Sequence, residues 1–426
     1  MKKVMLKTTL SLAVTLASTH LFASGFAINE QSISGMGTGF AGRSSSADDA
    51  STIFGNPAGM SRLKREQVTG GAAFLDAHTD ISNARGSRGG SNDGDMVPFI
   101  AVPMGYYVKP IDDHWAFGVG VYAPFGLVTD YENNFAGRYF GSKSEVKIVT
   151  LQPTVSYAFN DKVSIGFGPT INRIDGTLES NLNISPSPLA PDGNVKIKGD
   201  DTALGYNVGI LVQATDSTRV GLTYHSKVKY KLEGNTKIDY IALASPALGR
   251  QNPNQKYDAS LDITTPESVD FSVTHELDDQ WTLYAGSTWT RWSRLKEISV
   301  ENSGVPAGLN PLFGTIGEEQ NWHDTWAHAI GASYKVNKEW VLRTGFSVDQ
   351  SPTNNENRSP RIPTGDRKIF SLGAGWNPTD DLTIDVAYSY LVEESVKVND
   401  NNGRQSYSAK YENSANGLGI GATYRF

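Results

Sequence analysis

The chain has 426 residues, with 45 acidic and 38 basic side chains, a formal net charge of −7 at pH 7 and no cysteine. The lack of thiols excludes disulfides, thiolate metal sites and a cysteine nucleophile, and the acidic balance offers no basic patch for nucleic acid. No run reaches ~18 consecutive apolar residues, so no helix is expected to span a membrane. A mean hydropathy of −0.35 and a richness in glycine and aromatics still suit a β-barrel, which hides its lipid face in alternation.

Lys2, Lys3 and Lys7 precede an apolar run from Thr8 to Ala17 and a small-residue stop at Leu21-Phe22-Ala23. That order predicts a secretory signal peptide over residues 1–23, with Ser24 as the first mature residue. Residues 24–65 do not alternate; they are rich in Gly and Ser, with a short helix predicted from Asp48 to Phe54, capped by Ser46 or Asp48. Pro57 has no backbone N–H and restricts Asn56, so the helix must end or turn at Gly55-Asn56-Pro57-Ala58-Gly59. A compact N-terminal hatch is expected here.

Residues 66–426 change to long alternating runs, among them Leu204, Tyr206, Val208, Ile210 and Val212, and Leu382, Ile384, Val386, Tyr388 and Tyr390. Short turns fall at Lys109 to Asp113, Asn160 to Lys162, Thr215 to Thr218, Asp278 to Gln280, Asn337 to Glu339 and Asn377 to Asp381. Long polar loops lie between them, near 81–96, 125–144, 179–202, 235–260, 302–322, 353–367 and 398–409. These connections give a 14-stranded antiparallel transmembrane β-barrel whose two ends lie on the short-turn side, the asymmetry expected of an outer-membrane barrel. Trp115, Trp281 and Trp340 follow short turns, where an interfacial girdle belongs. The last run alternates Leu418, Ile420, Ala422 and Tyr424 against Gly417, Gly419 and Gly421, and closes on Phe426. A lumen of fourteen strands needs a plug, and the hatch supplies it.

Little catalytic chemistry is visible. Gly37 to Gly42 spells GxGxxG without the βαβ context a dinucleotide requires, and is read as plug backbone. His275-Glu276 lacks the second histidine of a zincin helix, and no GxSxG occurs. Asn92-Asp93-Gly94-Asp95 and Asp400-Asn401-Asn402-Gly403 read as solvated loops rather than calcium sites. No metal, no cofactor and no enzymatic activity are expected. Arg343, Asp349 and Asp385 fall on lumen rows, as a bracing ion-pair network or, for Arg343, as a cation meeting a ligand carboxylate. Strict alternation sends Arg173 outward toward lipid A, and only a bulge would turn it into the lumen. Leu182, Ile184 and Leu189, then Ile241, Leu243 and Leu248, make two outer loops unusually apolar, a groove where something greasy could dock. Gly118 and Gly120, with Pro124 beyond, mark the third strand as a weak point in the wall.

Several motifs in order then resemble the FadL family of outer-membrane transporters for long-chain fatty acids and other hydrophobic compounds. They are Ser24-Gly25-Phe26-Ala27-Ile28-Asn29-Glu30, Ser34-Gly35-Met36-Gly37, Asp48-Asp49-Ala50, Asn56-Pro57-Ala58, Val102-Pro103, Pro110-Ile111-Asp112-Asp113, Phe125-Gly126-Leu127, Arg343-Thr344-Gly345 and Ser351-Pro352. The resemblance spans essentially the whole mature chain. It implies a monomer in a lipopolysaccharide-bearing membrane that takes substrate from an outer groove, holds it inside and releases it sideways at a kinked third strand. Carried over, Asn56, Pro57 and Ala58 belong to the hatch motif, Gly118 and Gly120 to the lateral opening, and Phe26 to a movable N-terminal piece near the pocket. Arg173 is a second pocket candidate from the resemblance. Before His323 the chain carries Glu318 and Glu319 where a lysine belongs to the pattern. The implied substrate is a long-chain fatty acid, with an aromatic or alkane hydrocarbon as the alternative within the family and an outer-membrane lipid hydrolase as the alternative outside it.

Overall fold

The computed structural model describes residues 25–185, 190–239 and 254–426. The leader predicted over 1–23 and the predicted groove residues Leu189, Ile241, Leu243 and Leu248 lie outside them. Fourteen antiparallel strands close into one barrel. They are β1 (Gln67–Gly86), β2 (Ile100–Pro110), β3 (Trp115–Asp130), β4 (Lys143–Ala158), β5 (Val163–Leu182), β6 (Gly193–Thr215) and β7 (Thr218–His225 and Val228–Asp239). There follow β8 (Asn254–Thr265 and Ser268–Glu276), β9 (Trp281–Thr290 and Glu297–Ser303), β10 (Thr315–Glu319 and Thr325–Lys335) and β11 (Trp340–Asp349). The last three are β12 (Arg367–Trp376), β13 (Leu382–Glu393 and Val396–Asn401) and β14 (Ser406–Arg425). β14 pairs with β13 on one side and with β1 on the other, from Gln67↔Arg425 upward, which leaves no free edge between the first and last strands.

The outward rows carry the apolar band: Phe117, Ile165, Phe167, Leu222, Leu342, Leu372, Leu418 and Ile420 are all exposed. At the short-turn end the band is rimmed by aromatic pairs, Trp115 with Tyr157 (4.7 Å), Trp281 with Tyr334 (4.7 Å) and Trp340 with Trp376 (5.9 Å). Rings with a polar edge fit that boundary between hydrocarbon and water.

Two features depart from the sequence expectation. Five strands are interrupted, at Ser226 and Lys227, at Pro266 and Glu267, and at 291–296, 320–324, and Glu394 and Ser395. The halves keep the same period of two, so alternation alone does not reveal the break. The strands also run far into the predicted loops: β5 and β6 stay paired from Val163↔Val212 to Leu182↔Gly193. There the inward row is still apolar, with Val195 buried, while charged Lys196, Lys198 and Asp200 face out, so the sheet continues above the lipid.

Inside sits the hatch. Helix α1 (Ile33–Gly37) is capped by Ser32, whose Oγ accepts from Gly35 N–H at 3.1 Å. Helix α2 is shorter than predicted, Thr52–Gly55, because Asp49 Oδ1 accepts from Ser51 N–H at 2.8 Å and holds the preceding turn apart. A 3₁₀ helix follows over Pro57–Arg62, with Pro57 in its first turn. Lumen-facing glycines let the hatch reach the wall: a Cβ at Gly209 would overlap the Asn56 side chain, and one at Gly345 the Thr38 backbone.

Candidate functional site

The wall of the barrel has a window. β2 and β3 pair over only six positions, from Pro110↔Ala116 to Gly105↔Val121. Past Val121, the register of β3 against β4 shifts between Tyr122 and Phe125, where Pro124 can donate nothing to a ladder. From Met104 to Ile100, β2 is paired with β1 alone. The wall closes again where Asp130 N–H donates to Met96 O at 2.7 Å. On its outer face, Phe99 is 68% exposed and stacks on Phe74 at 6.2 Å.

A strap from the N-terminal segment covers the window from within. Ile28 N–H donates to Pro124 O at 2.8 Å, Gly126 N–H to Phe26 O at 2.9 Å, and Gln31 Nε2 to Ala123 O at 2.6 Å. Tyr106 Oη donates to Gln31 O at 2.8 Å and fixes the far end. The backbone groups of β3 that β2 abandons are thereby satisfied, as apolar surroundings demand. Phe26 is buried in an aromatic box with Trp292 at 4.9 Å, Phe125 at 5.7 Å and Trp322 at 6.0 Å. Trp292 and Trp322 sit in the breaks of β9 and β10, which is what lets these large rings turn into the lumen.

Below the strap lies a cavity of about 130 Å³. Its floor is the hatch, through Gly39, Phe40, Arg43 and Phe54, and its walls mix apolar surface with polar groups: Thr150, Thr170, Asn172 and Asn207, the histidines His225 and His328, and the carboxylates of Asp270 and Asp349. Arg43 donates from Nη2 to Asn29 Oδ1 at 2.8 Å and lies against Phe40 and Phe54, 5.3 and 5.9 Å from their ring centres. Among the described residues no carboxylate comes within ion-pair distance of it. Glu30 is lodged nearby in the strap, where burial pushes its carboxyl above the ordinary value against the pull of Arg367 and Arg43. His225 packs tilted against Phe54 at 5.0 Å, and its enclosed Nε2 makes no hydrogen bond among the described residues.

Above the cavity the lumen turns apolar. Ile148, Ile174, Val228, Tyr230 and Leu232 form one cluster, joined to the aromatic box through Phe125, Val146 and Ile263. A recess of about 60 Å³ between Val146, Leu178, Ile197, Leu261 and Val300 continues it toward the outer rim. Beneath the hatch the lumen is ionic: a chamber of about 240 Å³ holds Asp48, Arg219, Lys335, Arg343 and Asp385. From the outer rim inward, a wholly apolar wall thus gives way to a cavity of mixed lining, with Arg43 on its floor and Asp270 and Asp349 in its wall.

The sequence-selected residues distribute unevenly over this geometry. Asn56 is buried and makes the hatch's main anchor: Nδ2 donates to Ser44 O at 2.7 Å and to Ile210 O at 3.0 Å, and Oδ1 accepts from Ala58 N–H at 3.0 Å. Pro57 lies over Gly166, and Ala58 O accepts from Ser164 Oγ at 3.0 Å, so the whole corner docks on β5 and β6. Phe26 does not line the cavity; its neighbours Ala27 and Ile28 do, and its own ring is buried behind them in the aromatic box. Gly118 and Gly120 do not form the opening: they lie in the intact β2–β3 ladder, facing Ile53 and Met60 of the hatch, and the break begins beyond Val121. Arg173 is not a pocket residue. β5 carries no bulge there, and the side chain faces out to Asp200 (2.6 Å) and Asp175 (3.4 Å). Arg343 is not one either; it faces the lumen below the hatch, bound to Asp385 at 2.6 Å. Arg367 is held separately, by Glu393 at 2.8 Å and by Asp349 at 3.9 Å, so the wall carries two distinct ion-paired clusters. Arg43 was missed, although it is the single cation between Ser24 and Ser61.

A plugged, fourteen-stranded barrel with an aromatic girdle and a window in its wall is an outer-membrane transporter by architecture. The family of outer membrane protein transport proteins (OMPP1/FadL/TodX) matches residues 14–426, and the chain belongs to it. The long-chain fatty acid transport protein of Escherichia coli O6:H1 (strain CFT073) is 29% identical over 450 residues, covering 100% of this chain and 99% of that one. Outer membrane protein P1 of Haemophilus influenzae is 28% identical over 430 residues, covering 91% and 90%. Among solved structures, a Pseudomonas aeruginosa FadL homologue superposes with a TM-score of 0.84 at 27% identity, over 94% of this chain and 100% of that one. The Pseudomonas putida toluene transporter TodX shares the fold, with a TM-score of 0.68 at 17% identity over 90% and 95%. The protein resides in the outer membrane of a Gram-negative bacterium.

Proposed function

We propose that the protein carries long-chain fatty acids passively across the outer membrane, from the apolar upper lumen into the cavity over the hatch and out sideways through the β2–β3 window. The observation that carries this reading is the polarity gradient of the lumen. An apolar upper wall suits a hydrocarbon tail, worth roughly 0.8 kcal/mol per buried CH₂, and a cavity with a cation on its floor suits a carboxylate. The straight path is unsuited to the tail, since it meets Asp48, Arg219, Arg343 and Asp385 beneath the hatch. Sideways, the tail passes Phe99 and Phe74 directly into lipid.

The toluene-transporter fold and the aromatic box around Phe26 favour one second reading, a channel for aromatic or alkane hydrocarbons. Transport requires no chemistry, and the protein is read as a monomeric carrier in a lipopolysaccharide leaflet rather than an enzyme. Uptake of labelled oleate by cells lacking their own fatty-acid channel tests the reading. Uptake restored by this protein is expected. Restored uptake of toluene or an alkane without oleate selects the second reading, and ester turnover by the purified barrel would make it a hydrolase.

A further inference from the structure

The outer face of the wall holds a charged patch that transport does not use. On β7 the outward row reads Leu222, Tyr224, Lys227, Lys229 and Lys231, so it passes from apolar to aromatic to cationic along one strand. His225 and Ser226 both line the cavity, and this extra inward residue at the break turns Lys227 to the outside. Beyond it Val228, Tyr230 and Leu232 are buried in the apolar cluster of the upper lumen, which sends Lys229 and Lys231 outward. Tyr224 is in register with Val269 and, through it, with Trp289 and Trp326. These rings mark the upper edge of the lipid band, as the tryptophans of the short-turn end mark the lower. The three lysines therefore stand at the height of the lipid head groups of the outer leaflet.

Two observations separate this row from an ordinary solvated face. The first is its lack of counter-charge. Neighbouring cations are paired, Lys147 with Glu145, Arg173 with Asp175 and Asp200, and Lys237 with Asp239; among the described residues no ion pair takes in Lys227, Lys229 or Lys231. Glu233 and Asp262 face the same side only at the upper end, Asp262 opposite Lys231, so Lys227 and Lys229 repel each other uncompensated. The second is a seam beside them. β6 and β7 pair up to Asn207↔His225 and again from Asp200↔Glu233, and no ladder joins them between those points. Leu204 stands in that seam, 74% exposed, and Tyr206 and Tyr224 lie below it with ring centres 5.9 Å apart. Cations thus border an apolar strip on the outside of the wall.

We propose that this patch seats a lipopolysaccharide molecule of the outer leaflet, with a lipid A phosphate on Lys227, Lys229 and Lys231 and an acyl chain along Leu204 and Tyr206. In a Gram-negative outer membrane the lipid at this height carries phosphate on its sugars and acyl chains beneath them, which is the order of groups the patch presents. A phosphate offers several acceptor oxygens for charge-assisted bonds and offsets the repulsion within the row. The chain covers the exposed leucine, so the lipid closes from outside a seam that backbone pairing leaves open. The inference does not depend on what the barrel carries.

The test is native mass spectrometry of the purified protein in detergent, titrated with bisphosphorylated lipid A, dephosphorylated lipid A or phosphatidylglycerol. The variants are Lys227→Gln, Lys229→Gln and Lys231→Gln combined, the same three positions changed to Arg, and Lys162→Gln with Lys338→Gln at the short-turn end as a control. Lipid A is expected to bind about tenfold or more weakly to the glutamine variant and undiminished to the arginine variant and the control. Dephosphorylated lipid A should bind the unmodified protein as weakly as lipid A binds the glutamine variant. That comparison uses unmodified protein, so it decides the point even where the triple change impairs folding. Equal binding of lipid A to the unmodified and glutamine proteins would overturn the site. Equal binding of the two lipid A forms would overturn the phosphate contact and leave only adsorption of acyl chains. Phosphatidylglycerol held as tightly as lipid A would overturn the assignment to lipopolysaccharide.

Discussion

Replacing Asn56 by Ala should open the hatch while leaving the barrel intact. The side chain makes three hydrogen bonds, donating to Ser44 O and Ile210 O and accepting from Ala58 N–H, all in a corner with Asn56 only 1% exposed. At roughly 0.5–1.5 kcal/mol for each bond lost, the corner is weakened by about 1.5–4.5 kcal/mol. Local opening of residues 44–62 should then rise by about ten- to a thousandfold, since each 1.4 kcal/mol is roughly a factor of ten. None of the three bonds joins one strand to another, so the heat-induced unfolding of the barrel should not move. Hydrogen exchange followed by mass spectrometry reads the opening directly, and conductance in planar bilayers reads the leak it allows. Gly209→Ala approaches the same corner from the wall, because the added Cβ would overlap the Asn56 side chain. It should reproduce the opening with Asn56 still present. Exchange over residues 44–62 unchanged in both variants would refute the argument that this corner seats the hatch.

Two further outcomes follow from the charged residues. Arg343→Ala leaves the Asp385 carboxylate buried without its partner and should destabilise the barrel by about 3–5 kcal/mol in urea unfolding; the Arg343→Ala, Asp385→Ala pair should recover much of that loss. A double variant no more stable than the single one would mean that the pair contributes nothing specific. Arg173→Gln removes a cation that faces outward to Asp200 and Asp175, away from the lumen, so oleate uptake should stay within about twofold of the unmodified protein. A large selective loss of uptake would return Arg173 to the ligand path.

The strands were legible because turn chemistry and alternation agree along the chain. Asn160, Asp278 and Asn337 each accept backbone N–H bonds from the last turn residue and the first strand residue beyond them, and that local physics is visible in sequence. The breaks in β7 to β10 and β13 were not legible, because a strand that pauses and resumes keeps its period. The window was signalled by Pro124, but glycine drew the prediction to Gly118 and Gly120; these serve close packing against Ile53 and Met60 instead. For Arg343, alternation gave the correct face of the wall. Whether a lumen residue lies above or below the hatch depends on strand tilt and hatch position, which no local pattern encodes, and Arg343 proves to lie below. Arg43 was hidden by its surroundings: within a run of Gly and Ser it reads as solvated loop, whereas the fold places it in the cavity floor.

The central claim is that substrate leaves through the β2–β3 window after the strap withdraws. The chain has no cysteine, so a disulfide can be introduced cleanly between Ala27 and Phe125, which face each other in an isolated antiparallel bridge. The decisive measurement is oleate uptake by the Ala27→Cys, Phe125→Cys variant with and without a reductant. The account predicts that uptake is lost when the bridge is closed and returns when it is reduced. Undiminished uptake through the closed form would contradict it, because the fatty acid would then have another way out.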